Sequence, residues 1–318
     1  MKTTRHLTKW GTVAAMGLAA VSLPVFGADQ TSGTKSYERS TSPGFTSSAD
    51  MQSTKIFGHV ERANKLIGKE VLSSDNQKLG KLENVVVDLD SGRILYTVVG
   101  SGGVLGAGEK KFAVPPRAFN NIQGDNLTLK VDKAKFEGAP QFTSDINKDS
   151  EMGKTAFVKQ VDQYFSQGAI DRASSQISNS TEFRSVHKVD DIIGMKVKNS
   201  SEADLGKVDN VALDLPRGRV IYVILSPDSS LKLGNDYFAL PPNELMFSTD
   251  GKYLTTDVTK EKLAGAPHFA KGDWANLSNR RWAAQVYQYY GKQPYFESGS
   301  RLEPTGRTGD KTLPKTKN

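Results

Sequence analysis

From Val85 to Val99 the chain is apolar on both sides of one polar interruption. Val85, Val86, Val87 and Leu89 precede "DSGR" at Asp90, and Ile94, Leu95, Tyr96, Val98 and Val99 follow it. β-Branched and aromatic residues around an Asp/Gly turn predict a β-hairpin, with Gly92 at the position that needs positive φ. "AVPP" at Ala113 predicts a short strand ended by proline, which lacks the N–H that a sheet interior requires. "LTLKV" at Leu127 alternates and predicts a further strand. Beyond it the period changes: Phe157, Val161, Tyr164 and Phe165 stand at i, i+4, i+7 and i+8, one face of an amphipathic helix.

The same pattern then recurs. "LIGKEVLSSDNQKLGKLENVVVDLDSGRILY" from Leu66 lies over "IIGMKVKNSSEADLGKVDNVALDLPRGRVIY" from Ile192 at an offset of 126 residues, which still holds between "FAVPP" at Phe112 and "FALPP" at Phe238. Upstream, "FGHV" at Phe57 answers "FRSV" at Phe183. Downstream, "FEGAPQF" at Phe136 answers "LAGAPHF" at Leu263, and "FVKQVDQYF" at Phe157 answers "WAAQVYQYY" at Trp282, so the helical face returns as Trp282, Val286, Tyr289 and Tyr290. The expected fold is mainly β (α+β): two small antiparallel β-barrels, each of five or six short strands and each followed by an amphipathic helix. Barrels are favoured over open sheets because closure removes exposed edges. The first unit is set at 56–166 and the second at 182–297, with a linker at 167–181 rich in Ser, Gln and Asn.

The ends of the chain read differently. Lys2, Arg5 and Lys9 precede an uncharged stretch from Trp10 to Ala28 with small residues near Gly27, which predicts a signal peptide over 1–27 and an exported, periplasmic protein. A retained membrane anchor is the competing reading; Gly11, Gly17 and Pro24 interrupt a run already close to the minimum for a span. Residues 28–55 have the composition of a disordered tether and 298–318 that of a disordered basic tail. Charge then changes the picture only by its location. The whole chain carries 42 Lys and Arg against 35 Asp and Glu. Three cations lie in residues 1–27, and five cations with two acids lie in 298–318, so the part between holds 34 against 33. A nearly neutral body is poor material for tracking a phosphate backbone, and no nucleic-acid partner is expected. Cysteine is absent, which removes disulfides, thiolate metal sites and a cysteine nucleophile.

The leading Ile-Gly, "LGK" at Leu79, the Asp ahead of a Gly turn at Asp88, "GGVLGAGEK" at Gly102 and the "AVP" strand together resemble the PRC-barrel family. The second copy keeps most of these but reads "DSSLKLGND" at Asp228 in place of the Gly-rich loop. The "GAP" motifs and trailing helices resemble the elaboration of exported bacterial members. The resemblance implies a platform for protein or assembly contacts and carries no catalytic residues with it.

Motifs that carry chemistry elsewhere fall short here. "GVLGAGEKK" from Gly103 departs from a phosphate-binding loop, because Glu109 precedes Lys110, Lys111 stands where a hydroxyl is needed, and strands are predicted on both sides. "DLDSG" from Asp88 lacks the Glu that would close a calcium loop, and Pro216 replaces its second Asp in the other copy. His59, His187 and His268 show no metal-ligand spacing, and no G-x-S-x-G elbow is present. The expectation is a non-enzymatic binding or scaffolding protein of the bacterial cell envelope with no cofactor and no metal. Its partners would be envelope proteins or the two units themselves, and membrane contact would come only through the basic tail. An envelope hydrolase with a cleft between the units is the alternative, and an RNA-binding module the third. The residues expected to carry the repeat are Gly68, Gly80, Asp88, Gly92 and Pro115, with Gly194, Gly206, Asp214, Gly218 and Pro241 opposite them. Phe157, Val161, Tyr164, Trp282, Val286 and Tyr289 form the candidate interface, through which the two helices would pack against one another or against each other's barrel as an internal pseudo-dimer.

Overall fold

A run of short strands begins at β1 (Val60–Arg62) and passes through helix α1 (Ala63–Leu66) to β2 (Glu70–Leu72), β3 (Lys78–Asp88), β4 (Arg93–Ser101) and β5 (Lys110–Val114). After a 3-10 turn at Pro116–Ala118 come β6 (Phe119–Asn121), β7 (Asn126–Leu129), helix α2 (Lys133–Glu137) and helix α3 (Thr155–Ser166). The order repeats as β8 (Val186–Lys188), α4 (Val189–Ile192), β9 (Lys196–Asn199), β10 (Asp204–Asp214), β11 (Arg219–Pro227) and β12 (Tyr237–Leu240). It closes with β13 (Met246–Phe247), β14 (Tyr253–Thr256), α5 (Lys260–Ala264), β15 (His268–Phe269) and α6 (Arg280–Tyr289). This computed structural model describes residues 60–102, 110–122, 124–142, 153–166, 183 and 185–294. All of them lie in residues 41–318, one of two bodies into which the chain divides. The expected signal peptide, tether, linker and basic tail, His59 and most of the Gly-rich loop fall outside the described residues. Among the described residues no helix is long and apolar enough to cross a membrane.

Each unit is built on a long bent hairpin, β3–β4 in the first and β10–β11 in the second, with the turn glycines Gly92 and Gly218 at φ 61° and 64°. Both hairpins slip register at the same two places, and the first slip leaves Glu83 and Asp209 bulged out of the ladder. Gly80 and Gly206 meet a different demand. A Cβ on Gly80 would stand 1.9 Å from the Gly100 carbonyl oxygen, and one on Gly206 would stand 2.1 Å from that of Ser226, so the crossing backbones leave room for hydrogen alone.

Two features differ from the sequence expectation. The units are not wholly antiparallel: β7 runs parallel beside β2, and β14 beside β9. The proline turn and the β6–β7 reversal bring the chain back in the direction of β2, and the separation between the paired strands easily spans the crossover that parallel pairing needs. Nor are there two separately closed barrels. The fifteen strands among the described residues join in one sheet whose path is open, from β13 to β6, and it passes from one unit to the other between β11 and β4. The principal core is likewise continuous, running from Leu66, Leu82 and Phe136 to Ile192, Tyr222 and Leu263. A smaller cluster of Val86, Leu95, Tyr96, Val98 and Ala113 lies under Val158 and Val161 of α3.

Candidate functional site: the junction between the two units

The strands leading into each unit are exchanged. β1 enters the first unit yet pairs with β10 of the second, Val60 opposite Asp214 and Arg62 opposite Ala212. β8 enters the second unit yet pairs with β3 of the first, Val86 opposite Lys188 and Asp88 opposite Val186. The local cause is an uncovered edge. β2 pairs with β3 only at Lys78–Lys81, and β9 with β10 only over Asp204–Lys207, leaving the second half of each long strand open for the other unit's arm.

The two hairpin tips also meet. Arg93 lies opposite Arg219; the Ile94 N–H donates to the Gly218 carbonyl at 2.9 Å and the Val220 N–H to the Gly92 carbonyl at 3.0 Å. Each turn glycine faces the other unit's double proline. A Cβ on Gly92 would stand 3.1 Å from Pro242 and one on Gly218 3.4 Å from Pro116. The signature positions are therefore shared between the fold and the junction. Pro115 and Pro241 lead into the 3-10 turns that present Pro116 and Pro242. Gly68 and Gly194, at φ 90° and 89°, donate to the Leu82 and Val208 carbonyls at 2.7 and 2.8 Å.

Asp88 caps its own turn by accepting from the Ser91 N–H at 3.1 Å and holds the incoming arm by accepting from the Ser185 N–H at 3.0 Å. Asp214, fully buried, accepts from the Arg217 N–H at 3.3 Å and pairs with the Arg217 guanidinium at 3.1 Å. Two asparagines occupy equivalent places with unequal partners. Asn84 Nδ2 donates to the Asp190 carboxylate at 2.8 Å, whereas Asn210, 1 % exposed, accepts from the Asn64 N–H at 3.5 Å and leaves its own Nδ2 buried without a partner. Burial, with the neighbouring Asp191 adding to it, raises the Asp190 carboxyl above its ordinary value, and Lys188 and the Asn84 bond pull it back.

The candidate interface residues of the trailing helices lie against their own units. Phe157 packs edge-on to Tyr96, and Val161 is buried in the smaller cluster. Trp282 packs edge-on to Tyr222, and Val286 is fully buried beside it. The Tyr164 hydroxyl donates to the Lys135 carbonyl at 2.7 Å and the Tyr289 hydroxyl to the Lys262 carbonyl, so each helix is pinned to the end of the short helix before it. This accounts for the glycine of each "GAP" motif: a Cβ on Gly138 would stand 2.6 Å from the Tyr164 hydroxyl, and one on Gly265 3.1 Å from that of Tyr289.

The histidines are dispersed. His187 lies on the arm β8 and stacks on Phe247 at 3.5 Å, and burial lowers its pKa against the pull of Asp191. His268, on β15, sets Nε2 at 3.7 Å from the Asp236 carboxylate. Among the described residues no group of three or more acids and histidines is placed to hold a metal.

The bulge residues mark where the units part ways chemically. Glu83 pairs with the Lys111 ammonium at 2.9 Å, while Asp209 accepts from the Tyr237 hydroxyl at 2.9 Å. Burial first, and the Asp209 bond second, push the Tyr237 phenol up to about 12. Tyr237 adjoins Trp274, and the Arg62 guanidinium of the exchanged arm β1 lies over that indole at 4.4 Å. Sequence reasoning missed both the arms and this contact. The upstream match of "FGHV" to "FRSV" shows that the repeat begins before the hairpin, and it was the available signal.

The PRC-barrel domain family model matches residues 58–136 and again residues 185–263. The chain carries two tandem PRC-barrel domains. Both matches take in the exchanged arms β1 and β8 and end at the short helices α2 and α5, so the pinned helices α3 and α6 are additions beyond the matched PRC-barrel segments. No curated protein matches the chain.

Proposed function

We propose that this tandem PRC-barrel protein is a non-enzymatic binding or scaffolding protein of the bacterial cell envelope, exported to the periplasm. Each half would be a barrel-like curl of the common sheet. The observation that carries this reading is the use made of the repeated residues. Gly80, Asp88, Gly92, Pro115 and their counterparts are each spent on a tight crossing, a turn or the junction, so the residues the duplication keeps shape and join the two units, which supports a scaffolding role. The localisation rests on the basic, then apolar, amino-terminal segment, and the neutral charge of the body argues for protein partners over nucleic acid. The two units are chemically unlike at Glu83/Lys111 and Asp209/Tyr237, so the copies are not interchangeable in their local chemistry.

The test is fractionation of cells expressing the full chain, followed by capture of partners from envelope extract with the full chain and with a form lacking residues 298–318. The reading expects the processed protein in the periplasmic fraction and the same envelope proteins retained by both forms. Confinement to the cytoplasm, or RNA retained on the column, would overturn it.

A further inference from the structure

The two trailing helices are copies of one element, but they are not held equally. In the second unit α6 buries Trp282, Ala283, Val286 and Tyr287 in the principal core, with Tyr290 buried just past its end, and the Tyr287 hydroxyl donates to the Ile221 carbonyl at 3.0 Å. Its start is capped by Asn279, whose side chain accepts from the Arg281 N–H at 2.9 Å and the Trp282 N–H at 3.3 Å. In the first unit α3 buries only Val158 and Val161, in the smaller cluster. Tyr287 is replaced by Asp162, whose carboxyl is partly buried and raised by that burial despite the nearby Arg117 and Arg93. What holds Asp162 there is Arg117. Its guanidinium pairs with the Asp162 carboxylate at 3.3 Å and donates to both the Asp162 carbonyl and the Ser166 hydroxyl. One side chain thus makes three contacts to a helix that buries two valines fully and packs Phe157, Tyr164 and Phe165 only in part.

We propose that α3 is a releasable strap. It covers the apolar face formed by Val86, Tyr96, Val98 and Ala113, it is latched by Arg117, and it opens without unfolding the hairpin beneath it, while its counterpart α6 stays fixed. The polar latch, and two fully buried side chains against four in α6, put its opening at the low end of the local stabilities within one protein. The difference lies in the helix face and not in the pin, since Tyr164 and Tyr289 make the same bond in both units.

Hydrogen–deuterium exchange on the full chain tests this. Helix amides over 159–166 should exchange at least tenfold faster than those over 284–289, with the β3–β4 amides as well protected as those of β10–β11. Arg117→Ala should speed exchange of α3 by a further tenfold and leave β3–β4 unchanged. Asp162→Tyr, which installs the second unit's residue, should slow it. Equal protection of the two helices in the unaltered protein, or acceleration of β3–β4 in step with α3 in Arg117→Ala, would overturn the proposal.

Discussion

The unequal asparagines give a prediction that depends on the internal symmetry alone. Asn84 and Asn210 are the same residue of the repeat, but Asp190 meets the first with a carboxylate, and Asn64, its equivalent 126 positions earlier, meets the second with its backbone N–H and leaves Asn210 Nδ2 without an acceptor. Substituting Asn64→Asp should let the new carboxylate accept from Asn210 Nδ2 as Asp190 accepts from Asn84. A buried donor left unpaired costs about 1–3 kcal/mol, and a hydrogen bond to a charged group contributes about 1.5–3 kcal/mol. The new carboxylate must itself be partly desolvated, as the raised pKa of Asp190 shows, so the net gain should be about 1 kcal/mol. For a cooperative body of this size that corresponds to an increase in Tm of about 2–4 °C. Thermal and urea unfolding at pH 7 would measure it. Asp190→Ala, run beside it, should lower stability by about 1–2 kcal/mol by stranding Asn84 Nδ2. An unchanged or lowered Tm in Asn64→Asp would refute the reasoning, because the geometry that serves Asn84 would then not be reproducible at Asn210.

Other outcomes follow from the same contacts. Tyr289→Phe should cost about 1 kcal/mol in urea unfolding through loss of the bond to the Lys262 carbonyl, with little change in helix content by circular dichroism. Gly80→Ala and Gly206→Ala should each destabilise by about 3 kcal/mol or more, since the added carbon would lie within 1.9 or 2.1 Å of a backbone oxygen; a loss below about 1 kcal/mol would contradict the close crossing. His187, with its folded pKa lowered by burial, contributes fully above the ordinary imidazole value of 6.5, and its contribution is lost as pH falls below that. Asp190 and Asp162, raised in the folded state, act oppositely: their contribution is full below about 3.8 and lost as pH rises through their folded values. His187→Gln should therefore flatten the decline of Tm between pH 6.5 and 5 and leave the more acidic limb unchanged.

The parts of this fold that were legible in the sequence are those encoded within a few residues. The hairpin from Val85 to Val99, the glycine turn at Gly92, the proline-terminated strand and the helical face of Phe157, Val161 and Tyr164 each declare themselves by local period and turn chemistry. The exchange of β1 and β8 could not be read in this way. Because the two long strands β3 and β10 carry nearly the same pattern, an arm that fits one fits the other, and apolar alternation does not record which of two like edges it will cover. The parallel pairs were hidden for a related reason: they depend on how the chain returns after the Pro115 and Pro241 turns, not on the strands themselves. At the junction, Gly92, Gly218 and the double prolines were legible as turn residues, but their contact across the two units is a tertiary fact.

The central claim, that the two PRC-barrel units interlock hairpin to hairpin, has a direct test in a chain with no cysteine of its own. Arg93 and Arg219 face each other between two flanking backbone hydrogen bonds, a pairing in which Cα atoms stand about 4.5 Å apart, within disulfide reach. Under mild oxidation at micromolar concentration, the double substitution Arg93→Cys and Arg219→Cys should form an internal disulfide, giving a monomer of faster mobility on a non-reducing gel. A protein whose two thiols stay free, or that yields only crosslinked dimers, would contradict the account.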